Sequence, residues 1–188
     1  VQSESLLLSP LCILCAFAVK NPFAVKISKD HPMYDMPLAD STLIVAYGNP
    51  LRGDDGVAWQ AAILLSRELK DQVQVLTRHQ LTPELAETLS EASRVIFIDA
   101  AAQGPAGQIQ CCSIQRADEL TAQPFTHHVA PADLLTAAHT LYGHAPVGYL
   151  ITVNGGSFGY TETLSPAVEA ALPGVLAQVK EIVGDPSL

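Results

Sequence analysis

The sequence predicts an α/β protein, a three-layer α-β-α sandwich on a twisted, mostly parallel but mixed five-stranded sheet. Three observations predict it. Short apolar runs of strand length alternate with longer stretches whose apolar residues recur at helical spacing. Val95-Ile96-Phe97-Ile98 is continuously apolar, as a central parallel strand covered on both faces must be. The third and fourth strands are joined by a loop too short for a helical crossover, so the sheet is mixed.

The elements follow in order. Leu43–Tyr47 is a short buried strand that stops at Gly48-Asn49-Pro50, residues that open a tight loop. Val57 to Leu69 has helical spacing, so the first long helix covers Asp55–Lys70, with Asp54 or Asp55 at its mouth. A carboxylate there can accept orphan backbone N–H bonds and is favoured by the helix dipole. Val73–Arg78 alternates and reads as a strand nearer an edge. Thr82-Pro83-Glu84 starts a helix running to about Ala92, with Thr82 as N-cap and Pro83 at its first position. The strand Val95–Ile98 ends in Asp99, followed by a small-residue loop to Gly107 and a strand over Gln108–Ile114. Gln115 to Thr126 is polar and irregular, and His127-His128 lead into a helix over Pro131–Leu141, ended at Gly143. Val147–Val153 is the last strand, Asn154-Gly155-Gly156-Ser157 a loop, and Ser165-Pro166 caps a final amphipathic helix to about Val183. Crossovers between parallel strands should be right-handed.

Residues 39–185 read as a single domain, because 48% hydrophobic residues in 188 suffice for one well-buried core. Residues 1–38 read as an extension outside that fold. Leu6 to Val19 has the length of a signal-peptide apolar run but lacks preceding basic residues, and Met33 or Met36 would be a natural start. With 10 Lys and Arg against 19 Asp and Glu, the net charge of −9 opposes binding to nucleic acid or anionic membrane. A metal-loaded or cationic partner suits it better. Cys12-Ile13-Leu14-Cys15 has a metal or redox spacing, but no second pair completes a zinc site. Cys111-Cys112 on a strand would point to opposite faces, a poor disulfide. Reduced thiols in a cytoplasmic protein are the reading.

Two carboxylates follow strands: Asp54 or Asp55 after the first, and Asp99 after the third. If those strands are neighbours, as at a topological switch point, the carboxylates converge over one crevice. His127 and His128, in the loop before a helix, could reach the same edge. Two carboxylates and an imidazole suit a divalent transition metal. Each has a plainer use: one aspartate as a helix cap, Asp99 as a turn cap, either histidine on the surface. His79, His139 and His144 look structural, and Arg52 is either solvated or a grip for a peptide carboxylate. No Walker A loop, His-Glu-x-x-His run or Gly-x-Ser-x-Gly elbow competes.

Gly48-Asn49-Pro50-Leu51-Arg52-Gly53-Asp54-Asp55-Gly56 resembles the opening motif of the nickel–iron hydrogenase maturation endopeptidases. Val95–Ala100, Thr126-His127-His128 and Glu162-Thr163-Leu164-Ser165-Pro166 resemble later motifs of that family, in order, and His79-Gln80-Leu81-Thr82-Pro83-Glu84-Leu85 resembles some members. The resemblance implies a protease that removes a C-terminal extension from the large-subunit precursor of a nickel–iron hydrogenase. It implies that nickel carried by the substrate is bound transiently by Asp55, Asp99 and His128, with no tightly held cofactor. His128 is preferred to His127 because Pro131, three residues on, keeps the family spacing. Asp55 and Asp99 are then also the catalytic candidates, and the protein a cytoplasmic monomer. The rival reading is a non-enzymatic nickel-binding chaperone or adaptor in hydrogenase assembly.

Overall fold

A computed structural model describes residues 41–116 and 129–184. The N-terminal extension with Cys12 and Cys15, and both His127 and His128, lie outside the described residues. Five strands, β1 (Thr42–Tyr47), β2 (Val73–Arg78), β3 (Arg94–Ala101), β4 (Ile109–Ile114) and β5 (Val147–Asn154), form one sheet in the order β2-β1-β3-β5-β4. The first four in that order run parallel, and β4 is antiparallel to β5. Among the described residues, four α-helices accompany them: α1 (Val57–Leu69), α2 (Leu85–Ser90), α3 (Pro131–Tyr142) and α4 (Pro166–Gly184).

Alternation along the strands divides the core in two. Ile44, Ala46, Ile96, Ile98, Ile151 and Val153 pack on one face against apolar residues of α1 and α4. Leu43, Val45, Val95 and Phe97 pack on the other against Leu85 and Leu89 of α2 and Leu134 and Leu135 of α3. The sandwich predicted from sequence is therefore the observed one, and β1 and β3 hold the centre. β1 continues to β2 on one side and pairs with β3 on the other, so the strand order reverses between β1 and β3. Ligand crevices of open α/β sheets lie outside the carboxyl ends of such strands.

The sheet is mixed, as the short loop between β3 and β4 implied, and three local expectations need correction. β4 itself pairs with β5, which lies between it and β3. Residues 110–113 of β4 are exposed and suit a sheet edge, whereas Ile151 and Val153 of β5 are fully buried. Thr82 does not cap α2, which starts only at Leu85, because Leu85 N–H donates to Thr82 O and Ala86 N–H to Pro83 O in a tighter turn. Asp99 lies inside β3, with Ala100 and Ala101 still paired to β5. Finally, Asp54 and Asp55 sit in a separate 3₁₀ turn (Gly53–Gly56) ahead of α1, and no side chain caps α1. The exit of α3 was read correctly: Gly143 is left-handed and its N–H donates to His139 O. Ahead of α3, Asp133 Oδ2 accepts the N–H of Ala130. Among the described residues, no helix is long and apolar enough to cross a membrane.

Candidate active site

The loop after β1 is folded back on itself. Gly48 has φ +139°, and a Cβ there would collide with the carbonyl oxygen of Asp55, so no other residue fits without moving the turn. Its N–H donates to Arg78 O at 3.1 Å, and its own carbonyl accepts from Trp59 Nε1 at 2.9 Å. Asn49 N–H donates to Asp55 Oδ2 at 2.8 Å, and Asn49 Oδ1 accepts from Leu51 N–H at 3.0 Å. The carboxylate of Asp55 is thereby tied to the start of its own loop while staying partly exposed. Arg52 is exposed, its backbone paired with Thr161.

Asp54 points the other way. It is fully buried, and its carboxylate accepts four bonds from the loop before α4. Oδ2 receives Gly156 N–H (2.7 Å), Ser157 N–H (2.8 Å) and Ser165 Oγ–H (2.9 Å), and Oδ1 receives Ser165 N–H (2.6 Å). Burial alone would raise its pKa, but these donors outweigh it and hold the carboxyl below the ordinary value. The Ser165 hydroxyl, predicted as a helix cap, serves Asp54 instead. Of the two aspartates that the sequence left open, Asp54 fastens two loops together and Asp55 remains available.

Asp99 meets Asp55 across the switch point. Ala46 is opposite Ile98 in the parallel register of β1 and β3, so one step on brings Tyr47 beside Asp99. The apolar residues at alternate positions, Val45 and Phe97, fix the face as that of α2 and α3. Tyr47, Gly48, Asp55, His79, Gln80, Leu81, Asp99 and Val129 line a hollow of about 250 Å³. Ala100 N–H donates to Asp99 Oδ1 at 2.8 Å, and the Tyr47 hydroxyl is near enough to the same carboxylate to favour its charged form. Burial pushes the Asp99 carboxyl up to about 6, the negative charge of Asp55 adds to the rise, and the Tyr47 and Ala100 donors oppose it. Burial, with the Asp99 charge behind it, raises the Tyr47 phenol far above its ordinary value, so it stays a donor.

Asp55 and Asp99 are thus brought together. His127 and His128 are outside the described residues, although Val129, next in sequence, lines the hollow. Among the described residues, no group of three or more His, Cys, Asp and Glu side chains could hold a metal ion. His144 is structural as predicted, its Nε2 within 3.0 Å of Ala92 O. His79, predicted structural, is exposed at the rim of the hollow, its ring 5.3 Å from that of Trp59. Tyr47 was missed. Its signal was an aromatic hydroxyl ending an otherwise aliphatic strand, one register step from Asp99.

No family model and no curated protein matches this chain. Solved structures do match, and they define a class: this chain has the fold of the hydrogenase maturation endopeptidases, which are proteases. A hydrogenase 2 maturation peptidase from a Thaumarchaeota archaeon is 26% identical, with a TM-score of 0.57 over 77% of this chain and 98% of its own. The hydrogenase maturating endopeptidase HybD from E. coli has a TM-score of 0.63 at 24% identity, over 78% of this chain and 94% of its own. The [NiFe] hydrogenase maturation protease HycI from Thermococcus kodakarensis has a TM-score of 0.60 at 21% identity, with the same coverage.

Proposed function

We propose that this chain is an endopeptidase that removes a C-terminal extension from the nickel-loaded large-subunit precursor of a nickel–iron hydrogenase. The observation that carries the reading is the convergence of Asp55 and Asp99 on one hollow, in a chain with this fold. The order of the motifs around them supports it.

Nickel belongs to the substrate in this reading. Asp55, Asp99 and His128 supply part of its coordination shell, and cysteine thiolates of the precursor supply the rest. Carboxylate and imidazole are suitable donors for nickel, and −9 net charge favours a cationic centre. An immature subunit without the metal lacks the contact that places its scissile bond, so processing waits for nickel insertion. The metal in place polarises the scissile carbonyl or the attacking water. With no metal beside it, burial pushes the Asp99 carboxyl up to about 6, and the arriving cation would favour the ionised form that a ligand needs. The enzyme works in this reading as a cytoplasmic monomer without a tightly held cofactor.

The test incubates the protein with nickel-loaded and nickel-free precursor and follows precursor mass. Loss of a C-terminal fragment from the loaded form alone supports the proposal. Nickel transfer or stable association without any mass loss would instead support a chaperone or adaptor. Normal processing by both Asp55→Asn and Asp99→Asn would overturn the site.

A further inference from the structure

We propose that Tyr47 is a positioning residue for the reaction: its hydroxyl holds the Asp99 side chain in the orientation that faces Asp55 across the hollow. The inference rests on the reading of Asp99 as a working carboxylate, and it concerns a residue that no sequence motif singled out.

The geometry is built by the sheet. β1 and β3 are parallel neighbours with Ala46 opposite Ile98, and the pleat turns Tyr47 and Asp99 to the same face. Asp99 lies within β3, where its backbone is paired to Thr152 of β5, but that pairing leaves the side chain its rotation about χ1. Ala100 N–H holds Oδ1 from the residue next in sequence, a local contact. The Tyr47 hydroxyl, on the neighbouring strand and in the wall of the same hollow, is placed to add a second hold, and a donor from each of two strands leaves a carboxylate little choice of rotamer. Asp55 shows the same economy of means, with Asn49 N–H on Oδ2. Tyr47 is itself set firmly: it packs against the α2 and α3 core cluster and shares the wall of the hollow with both acids. A phenylalanine would keep that packing and remove only the hydroxyl, which makes the substitution a clean test.

The experiment compares wild type, Tyr47→Phe and Asp99→Asn as full-length chains. It measures cleavage of a nickel-loaded hydrogenase large-subunit precursor, with thermal unfolding run in parallel. Tyr47→Phe is expected to lower kcat about tenfold, the scale of one hydrogen bond to a charged group, with KM within about twofold and the unfolding midpoint little changed. A crystal structure of Tyr47→Phe should show the Asp99 carboxylate in a second rotamer. Wild-type kcat in Tyr47→Phe, while Asp99→Asn is inactive, overturns the positioning role and leaves the proposed function standing. A fall in Tyr47→Phe that comes with a raised KM and a lowered midpoint makes Tyr47 merely structural and also overturns it. Full activity of Asp99→Asn overturns both readings.

Discussion

Asp54→Asn separates the two neighbouring aspartates by what each is for. The wild-type carboxylate is fully buried and takes three donors on Oδ2 and one on Oδ1. An amide can match three of the four if its oxygen takes the Oδ2 position, but its NH₂ then faces the N–H of Ser165. Three charge-assisted bonds become neutral, each weaker by about 1 kcal/mol, and one buried donor goes unpaired at about 1–3 kcal/mol. The sum is about 4–6 kcal/mol, because no solvent reaches the group to screen it. For a domain of this size that corresponds to a fall of roughly 10–20 °C in the unfolding midpoint. Circular dichroism during heating at pH 7 measures it, and amide exchange at Gly156, Ser157 and Ser165 should quicken. Asp55→Asn, which keeps an oxygen for Asn49 N–H in a partly exposed setting, should move the midpoint by no more than a few degrees. An Asp54→Asn midpoint within about 2 °C of wild type would refute the account of Asp54 as the fastener of the loop before α4.

Asp55→Asn and Asp99→Asn should each lower kcat/KM for nickel-loaded precursor by about a hundredfold or more, read as precursor mass against time. Asp99 and Asp54 should give opposite pH dependences of stability. Asp99 is raised to about 6 when folded, so its contribution is greatest in acid and is lost as pH rises from about 4 through about 6, by roughly 2–3 kcal/mol. Asp54 is lowered when folded, so its contribution is present above its ordinary value and is lost as pH falls through its folded one. Urea unfolding of the metal-free protein between pH 3 and 8 tests both, with Asp99→Asn expected to flatten the slope between pH 4 and 6. Gly48→Ala should cost more than about 2 kcal/mol and disable processing, because φ +139° and the Asp55 carbonyl leave no room for a Cβ; urea unfolding and the cleavage assay check this.

Much of the fold was legible because its signals are local. Apolar runs gave the strands, and Gly143 marked a helix end through its own conformational freedom. The convergence of Asp55 and Asp99 was also legible, since both follow strands and need only β1 and β3 to be neighbours. What failed depended on partners distant in sequence. The roles of Asp54 and Ser165 are fixed by one bond network spanning 111 residues, and nothing near either one announces it. Thr82 looked like a cap because the sequence shows residue type, not that two tight backbone bonds delay α2 until Leu85. The place of β4 beyond β5 was hidden too, because loop length says which strands can be adjacent and burial decides which are.

Adjacent aspartates with opposite duties follow from the turn that carries them. In a 3₁₀ turn successive residues are about 120° apart, so Asp54 and Asp55 cannot face the same way. Packing against the loop at Ser157 claims one direction: Gly53 has φ +55°, and a Cβ there would stand 2.7 Å from Ser157 O. With Asp54 drawn into that contact, Asp55 is left on the side of the hollow, where Asp99 already stands half-buried. Two carboxylates facing one hollow repel, and burial of Asp99 adds to the cost, so the pair is at its least stable when both are ionised. A divalent cation between them would relieve both penalties at once, and that is the physical argument behind the proposal that the substrate brings a metal to this acid pair.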